Sequence, residues 1–219
     1  MTAFLMRLEF ATLGWRWLPI VALAYLIGSI PFGVIVGRLV FKSDIRGAGS
    51  GNIGAANALR TYGRTGGAVV LVLDALKGYL PTLAAGYAFG YVVPAVVALC
   101  AVLGHCYSPW LRWNGGKGVA TWLGALFAFS PLAGFGFIVI FLSAVLPTRF
   151  ASFASLLATA SSIPILWALG AVVHAPDRTP AYAAVLAACV IFWKHRENIA
   201  RLRDGSERKI GLRRSRSAT

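Results

Sequence analysis

Acidic residues are scarce in this 219-residue chain, and charged residues as a whole are few. Seven Asp and Glu residues stand against 21 Lys and Arg residues, and charged residues make up 13% of the sequence, whereas 58% is hydrophobic. A soluble domain of this size needs a much more polar surface. The shortage of charge therefore excludes a soluble globular protein and indicates an integral membrane protein.

Cysteine is rare as well, with three residues, and so is histidine, with three. Cys100, Cys106 and Cys189 lie within or beside apolar runs and lack the C-x-x-C and Cys/His spacings that are typical of metal sites. The sequence therefore predicts neither disulfide bonds nor a metal site, and it indicates no cofactor. A cleaved signal peptide is not expected either, because charged residues interrupt the first 16 positions.

What the chain does have is a succession of apolar runs with short polar breaks. A membrane-spanning helix needs about 20 apolar residues, and the runs predict an all-α integral membrane protein with about seven transmembrane helices. Around them we expect an N-terminal extension over 1–16, one multi-span domain over 17–211 and a basic tail over 212–219. The expected spans cover roughly 17–41, 66–88, 91–107, 118–131, 132–147, 151–173 and 179–193.

Basic residues gather in the breaks on one side of this predicted bundle. If the first span runs inward from the outside, these breaks face the cytoplasm, as the positive-inside rule requires. We therefore expect the N-terminus outside, the C-terminus in the cytoplasm and the polar site at the cytoplasmic membrane face. The cytoplasmic breaks contain Lys42, Arg46, Arg60, Arg64, Arg112, Lys117, Arg149 and nine basic residues of the tail, against Arg7, Arg16 and Arg178 on the other side.

The formal net charge of +14 is also compatible with nucleic-acid binding. Much of that charge, however, lies in residues 194–216, directly after the last predicted span, where a basic cluster is typical of an anchor beside anionic lipid. No nucleic-acid-binding motif accompanies it. We therefore expect membrane lipid, and no nucleic acid, among the partners.

The break at 44–67 is dense in glycine, serine, asparagine and arginine. Ser50 and Asn52 offer neutral hydrogen bonds, the glycines expose backbone donors, and Arg60 adds a positive charge. This composition is typical of a binding loop, and a flexible connector with an anchoring arginine has it too.

A second break ends in the sequence NGGKG, where Lys117 is framed by Gly115, Gly116 and Gly118. Bare glycine backbone and a lysine charge suit a phosphate group. A cytoplasmic turn whose lysine marks the orientation would have the same sequence. His105, shortly before this break, is typical of an interfacial hydrogen-bonding residue.

Two further breaks place polar side chains at helical spacing. Arg149 and Ser152 are three residues apart and suit a polar head group, although arginines at span ends are usually anchors. His195 and Asn198 share a helical face near the C-terminus, and His195 is the best general base by residue type. A solvated basic helix is the alternative for this segment.

Asp74 and Lys77 lie three residues apart inside the second predicted span. Isolated charges are costly at that depth. We therefore expect the two side chains to form an ion pair with a structural role.

Several short motifs occur together in this order: GSIPFG (28–33), GSGNIGAANALR (49–60), LDALKG (73–78), GH (104–105), GGKGVAT (115–121), RFASFAS (149–155), and HRENIARL followed by GSERKIG. With them the chain resembles the bacterial acyl-phosphate:glycerol-3-phosphate acyltransferase family (PlsY). The resemblance extends from about Leu18 to Gly211. Two departures are mild: Ala56 replaces a frequent threonine, and WNGGKG replaces a more basic form.

The resemblance implies an enzyme of the bacterial cytoplasmic (inner) membrane. Such an enzyme transfers a fatty acyl group from acyl phosphate to the 1-hydroxyl of sn-glycerol 3-phosphate, and it releases lysophosphatidic acid and inorganic phosphate. This is the first acylation step of phospholipid synthesis. Contact with the enzyme that supplies acyl phosphate is a further expectation.

The same resemblance implies the site residues. The catalytic residues would be Ser50, Arg60, Lys117, His195 and Asn198. The acyl-phosphate group would be held by Ser50, Gly51, Asn52, Gly115, Gly116, Lys117 and Gly118, and glycerol 3-phosphate by Arg60, Arg149, Ser152, His195 and Asn198.

Acyl phosphate is a mixed anhydride with a good leaving group, so positioning and charge stabilisation suffice without a covalent enzyme intermediate. In keeping with this, the chain has neither a G-x-S-x-G motif nor an Asp five positions after any histidine. The proton of the attacking hydroxyl would pass to His195 or to the substrate's own phosphate, and the resemblance favours the phosphate.

A small transporter is the rival hypothesis, since it also predicts several spans with polar residues. A carrier places its polar residues near the midplane in repeated halves. Here they lie in unlike breaks on one side, and no internal repeat is visible.

Overall fold

The computed structural model describes residues 14–90, 92–172 and 178–211, and the longer elements within them are all helices. Short 3₁₀ turns lie at Gly14–Arg16, Ile45–Gly47 and Pro109–Leu111. The described residues thus confirm the all-α class. The helices are α1 (Trp17–Ser29), α2 (Phe32–Leu39), α3 (Ala55–Phe89), α4 (Val92–Cys106), α5 (Val119–Phe129), α6 (Pro131–Thr148), α7 (Ala151–Val172), α8 (Thr179–Lys194) and α9 (Arg196–Arg203).

Among these helices, four are long and apolar enough to cross a membrane: α3, α4 with its following 3₁₀ turn, α6 and α7. Helices α1 and α2 meet the same test together as one span, bent by 41° at the break that contains Pro31. Helices α5 and α8 are apolar but have only 11 and 16 residues. The described chain therefore has four or five spans by length and composition, and the count of seven stays a prediction.

Helix α3 begins earlier than the sequence predicts. The polar loop expected over 44–67 ends at Gly54, and Arg60 lies on the helix. The alanines and the leucine at 55–59 are strong helix formers, which explains the early start. Gly63 then interrupts the helix with a φ of 75° and a ψ of −167°, a conformation that glycine adopts without strain.

Small residues let the helices approach one another closely. A Cβ atom at Gly28 of α1 would overlap the backbone of Ala101 on α4, and one at Gly78 of α3 would overlap the backbone of Thr121 on α5. Lipid tails are as apolar as leucine, so van der Waals contact at such glycines drives helix association in a membrane. Large apolar side chains such as Leu146, which is 73% exposed, face outward instead.

The buried centre of the bundle lies between α4, α5, α6, α7 and α8. Trp122 is fully buried there, and its indole N–H donates to the Ser162 hydroxyl at 3.2 Å. Phe137 of α6 and Ile191 of α8 pack in the same cluster. This core fixes the ends of the helices from which the polar breaks extend.

The breaks that carry the polar motifs meet at one end of the bundle, where residues of all four border a common cavity. Two of the breaks have evident local causes. Gly118 adopts a φ of 84° directly before α5, and Arg149 adopts a left-handed φ of 63° between α6 and α7. The extension over 1–16 and the tail over 212–219 lie outside the described residues, apart from the turn at Gly14–Arg16.

Candidate active site

A cavity of about 760 Å³ occupies the end of the bundle where the polar breaks meet. Its lining includes most of the predicted site residues: Ser50, Gly51, Asn52, Arg60, Gly115, Lys117, Gly118, Ser152, His195 and Asn198. The lining continues along apolar side chains of α3, α5 and α6: Leu71, Leu123, Phe137, Ile138, Phe141 and Leu142. One cavity therefore has a polar part and an apolar part. Two predicted residues, Gly116 and Arg149, are not part of this lining.

Asn57 organises the loop that presents Ser50. Its side chain is 1% exposed, and its Oδ1 accepts a hydrogen bond of 2.7 Å from the Ser50 N–H. Its Nδ2 donates to the carbonyl oxygens of Ile45, Ala48 and Asn52 at 3.2, 3.0 and 2.8 Å. A single buried amide at the start of α3 thus determines the loop's conformation.

The glycines of this loop do not offer all their amides to a ligand. The Gly51 N–H donates to Ala48 O at 3.0 Å, and the Gly54 N–H donates to Asn52 Oδ1 at 2.9 Å. The expectation of exposed backbone donors is therefore wrong at these two glycines, and the Ser50 N–H is also bonded. The Ser50 hydroxyl and the Arg60 guanidinium are the groups of this region that suit a phosphate.

The lysine loop folds back on the end of α4 in the same way. The N–H groups of Gly115 and Gly116 donate to Cys106 O at 3.2 Å and to His105 O at 2.9 Å. A Cβ atom at Gly116 would overlap the His105 imidazole. These two glycines therefore allow close packing rather than amide contact with a phosphate, and Lys117 supplies the charge.

Lys117 contacts the C-terminal part of the chain. Its ammonium donates to Asn198 Oδ1, and the Asn198 Nδ2 donates in turn to Glu207 Oε1 at 2.6 Å. Ser152 Oγ donates to the same oxygen at 2.8 Å, and Arg201 Nε donates to Oε2 at 2.8 Å. Glu207 is 9% exposed and connects three of the polar side chains around it.

Glu207 has a role at the site that the sequence did not indicate. It lies in the motif GSERKIG, but no local pattern shows that this segment folds back onto the cavity. Burial raises the pKa of Glu207, whereas hydrogen bonds from Asn198, Ser152 and Arg201 lower it more, so the pKa lies below its ordinary value. The carboxylate is therefore ionised at neutral pH.

His195 lies between α8 and α9 and is 3% exposed. Its Nδ1 lies 2.8 Å from Ile191 O, and because a carbonyl only accepts, Nδ1 carries the proton. Burial, and then the charge of Lys117, lower the pKa of His195 to about 4. The ring is therefore neutral at pH 7, with the lone pair on Nε2.

Lys117 stays largely charged at neutral pH. Burial lowers its pKa to about 8, and the negative charge of Glu207 opposes part of this effect. Arg60, Arg201 and Arg208 line the same part of the cavity. Positive charge exceeds negative charge there, which suits a phosphate ligand.

The segment Glu207–Gly211, called the C-terminal strap below, runs beside the polar part of the cavity. Arg149 contacts this strap: its Nε donates to Ile210 O at 3.2 Å, and its own carbonyl accepts from the Ile210 N–H at 2.8 Å. Arg60 also reaches the strap, with an NH2 group 3.2 Å from Arg208 O. Arg149 thus holds the strap in place.

Asp74 and Lys77 form the predicted ion pair, with 2.8 Å between Oδ1 and Nζ and almost no exposed surface. The Lys77 ammonium also donates to Ile30 O at 2.8 Å, which ties α3 to the end of α1. His105 Nδ1 lies 3.6 Å from Asp74 Oδ1. Within the described residues, no group of three or more His, Cys, Asp or Glu side chains is placed to hold a metal ion.

The family model for glycerol-3-phosphate acyltransferase matches residues 18–205 of the chain. The glycerol-3-phosphate acyltransferase of Methylorubrum populi is 46% identical over 200 residues, which cover 90% of this chain and 95% of the relative. The enzyme of the same name from Agrobacterium fabrum is 43% identical over 202 residues, which cover 90% and 96%.

Solved structures show the same relationship. The chain is similar to a crystal structure of PlsY (YgiH), an integral membrane glycerol 3-phosphate acyltransferase, in its glycerol 3-phosphate form. The TM-score is 0.83 at 39% identity, and the match covers 90% of this chain and 96% of that one. The lysophosphatidic acid form gives a TM-score of 0.81 at 38% identity with the same coverage. The resemblance inferred from the motifs is confirmed, and the chain belongs to the glycerol-3-phosphate acyltransferase family.

Proposed function

We propose that this acyltransferase uses acyl phosphate as its donor. It transfers the fatty acyl group to the 1-hydroxyl of sn-glycerol 3-phosphate and releases lysophosphatidic acid and inorganic phosphate, which begins phospholipid synthesis. The observation that carries this proposal is the single cavity in which cationic and hydroxyl groups adjoin an apolar wall. Both substrates have a phosphate, and the donor also has a chain that needs an apolar environment.

The donor phosphate is assigned to Ser50 and Lys117, which both line the cavity. The Ser50 hydroxyl and the Lys117 ammonium supply a hydrogen bond and a positive charge, and Asn52 and Gly51 border the same region. The apolar side chains of α5 and α6 would receive the acyl chain. An acyl thioester has no phosphate next to its carbonyl and would bring no anion to Lys117 beside the reacting carbon.

Glycerol 3-phosphate is assigned to Arg60, Ser152, His195 and Asn198. These side chains come from α3, α7, the α8–α9 junction and α9, and all of them line the cavity. Because Arg149 bonds Ile210 and lies outside the lining, its proposed contribution is to support the strap beside this subsite.

In the proposed reaction, the 1-hydroxyl oxygen attacks the acyl carbonyl carbon, and the bond from that carbon to the phosphate oxygen breaks. Lys117 stabilises the negative charge that develops on the departing phosphate. The hydroxyl proton passes to the phosphate of glycerol 3-phosphate, whose second pKa is about 6. His195, with a pKa of about 4, is the weaker base, so Nε2 accepts a hydrogen bond and positions the hydroxyl.

The site is proposed to face the cytoplasm of a bacterium from its inner membrane. The end of the bundle that contains the cavity also has Lys42, Arg46, Arg64 and Arg112, as expected of a cytoplasmic face. The N-terminus then lies outside, and the seven apolar segments all cross or enter the membrane. The enzyme that supplies acyl phosphate would approach from the cytoplasm.

The test presents the purified protein with glycerol 3-phosphate and one of three donors in parallel: acyl phosphate, acyl-CoA or acyl carrier protein loaded with the same chain. We expect lysophosphatidic acid from acyl phosphate alone, together with one inorganic phosphate per product. A folded Lys117→Ala variant serves as the blank for enzyme-independent transfer. Robust turnover with acyl-CoA and none with acyl phosphate would overturn the proposal.

A further inference from the structure

Two neighbouring residues of the C-terminal strap contact different elements that line the cavity. Glu207 accepts hydrogen bonds from Ser152 at 2.8 Å and from Asn198 at 2.6 Å, on the side assigned to glycerol 3-phosphate. The Arg208 guanidinium donates to the carbonyl oxygen of Gly49, the residue directly before Ser50. The strap therefore joins the loop that carries Ser50 to α7 and α9, which carry Ser152 and Asn198.

Arg208 makes this connection with both its side chain and its backbone. While its guanidinium holds Gly49, its carbonyl oxygen accepts a hydrogen bond of 3.2 Å from Arg60. Gly49 itself is restricted, because it has a φ of 60° and lies against the Asn57 amide. Arg208 thus contacts Gly49 in the loop that carries Ser50, and it also contacts Arg60, which is assigned to glycerol 3-phosphate.

The contacts continue from Arg208 to the lysine loop. Glu207 is the residue before Arg208 in the strap, Asn198 donates to Glu207, and Lys117 donates to Asn198. Ser50 and Lys117, which would hold the same phosphate, are thereby connected around the polar part of the cavity. A site of this kind is active only when its groups are held within about 0.5 Å of the productive geometry.

We propose that Arg208 is a positioning residue of the acyl transfer. Its guanidinium holds the loop that carries Ser50, and its carbonyl oxygen holds Arg60. Both are thereby kept in position relative to the groups that Glu207 contacts. The role depends on a cationic N–H group that reaches the Gly49 carbonyl oxygen. This inference rests on the proposed function, since transfer from acyl phosphate is the reaction for which Arg208 would position these groups.

The experiment compares Arg208→Ala and Arg208→Lys with Lys209→Ala in the full-length purified enzyme. Lys209 is the matched control because it is the next residue of the strap, carries the same charge and lies over the Phe150 ring at 5.4 Å. We expect Arg208→Ala to lower kcat about tenfold and to change the KM for glycerol 3-phosphate less than about threefold. Arg208→Lys keeps a cationic donor and should recover part of the kcat, and Lys209→Ala should stay within about twofold of wild type.

A second measurement separates positioning from folding. Amide hydrogen exchange of Ile210, whose N–H donates to Arg149 O, should become faster in Arg208→Ala, while the melting temperature changes little. The inference is overturned if kcat per folded molecule of Arg208→Ala stays within about twofold of wild type, if Arg208→Lys recovers none of the kcat, or if only the KM rises. It is also overturned if Lys209→Ala loses as much activity as Arg208→Ala.

The outcome is separable from that of the proposed function. Failure of the wild-type enzyme to use acyl phosphate would remove the proposed donor, and the inference with it. Normal use of acyl phosphate by wild type and by Arg208→Ala alike would leave the proposed function intact and overturn the role of Arg208 alone.

Discussion

Lys117 and Asn198, which are 81 positions apart in the sequence, are joined by a hydrogen bond from the lysine ammonium to the asparagine side-chain oxygen. The amide orientation is fixed, because the Asn198 Nδ2 donates to Glu207. A neutral amide orients the lysine without neutralising its charge, whereas a carboxylate in the same place would neutralise it. The positive charge is therefore held in position, as the proposed binding of a phosphate requires.

Replacement of Lys117 by alanine should nearly abolish transfer. Loss of a positioned charge that stabilises developing negative charge costs on the order of 3 kcal/mol, or roughly a hundredfold in rate. Arg112→Ala is the matched control, because Arg112 is exposed in the same loop and does not line the cavity. Specific activity of folded protein is the measurement. Retained activity in Lys117→Ala with a loss in Arg112→Ala would assign the loop to orientation in the membrane.

The rate should fall as the pH rises through about 8. The pKa of Lys117 is lowered to about 8, so the lysine keeps its charge below that pH and loses it above. His195 has a pKa of about 4 and stays neutral from pH 5 upward, so its titration contributes nothing there. The check is kcat/KM from pH 6 to 10. In Lys117→Arg, whose guanidinium has a pKa above about 12, the residual activity should not show this alkaline fall.

Much of the fold and part of the cavity lining were predictable because each motif has a local physical signature. Apolar runs predict helices, and the clustering of basic residues in alternate breaks placed the motifs at one end of the bundle. Ser50, Lys117 and His195, taken from three separate breaks, do border one cavity. The sequence therefore predicts which polar breaks meet at one end of the bundle.

The contacts between the breaks were not predictable from the sequence. The partners of Glu207 lie 55 and 9 residues away, and the strap that carries it has no periodicity that shows where it folds. The two glycines before Lys117 show a different error, in which the sequence predicted a ligand contact for backbone groups that are already bonded. Their composition is typical of a phosphate loop, yet their N–H groups bond the end of α4, a tertiary contact that composition does not encode.

Glu207→Gln should both destabilise the protein and lower its activity. Ser152, Asn198 and Arg201 all donate to this carboxylate, and an amide presents one NH2 group to those donors. Loss of satisfied hydrogen bonds at a buried group costs about 1–3 kcal/mol. Thermal unfolding in detergent and specific activity are the two measurements.

The matched control for this change is Glu197→Gln. Glu197 is also a cavity-lining carboxylate, but its side chain is 74% exposed and lies 4.0 Å from Arg201. Exposed ion pairs contribute little to stability, so Glu197→Gln should unfold at nearly the wild-type temperature. Equal stability of the two variants would contradict the central place of Glu207 in the site.

The end of the bundle that contains the cavity should face the cytoplasm. Single cysteines at Ser43 and Ser130, in a background without the three native cysteines, test this in intact cells. Ser43 is exposed in the connection between α2 and α3, and Ser130 lies between α5 and α6. A membrane-impermeant maleimide should label Ser130→Cys in intact cells and Ser43→Cys only after the membrane is opened. The opposite pattern would put the cavity outside and would invert the proposed orientation.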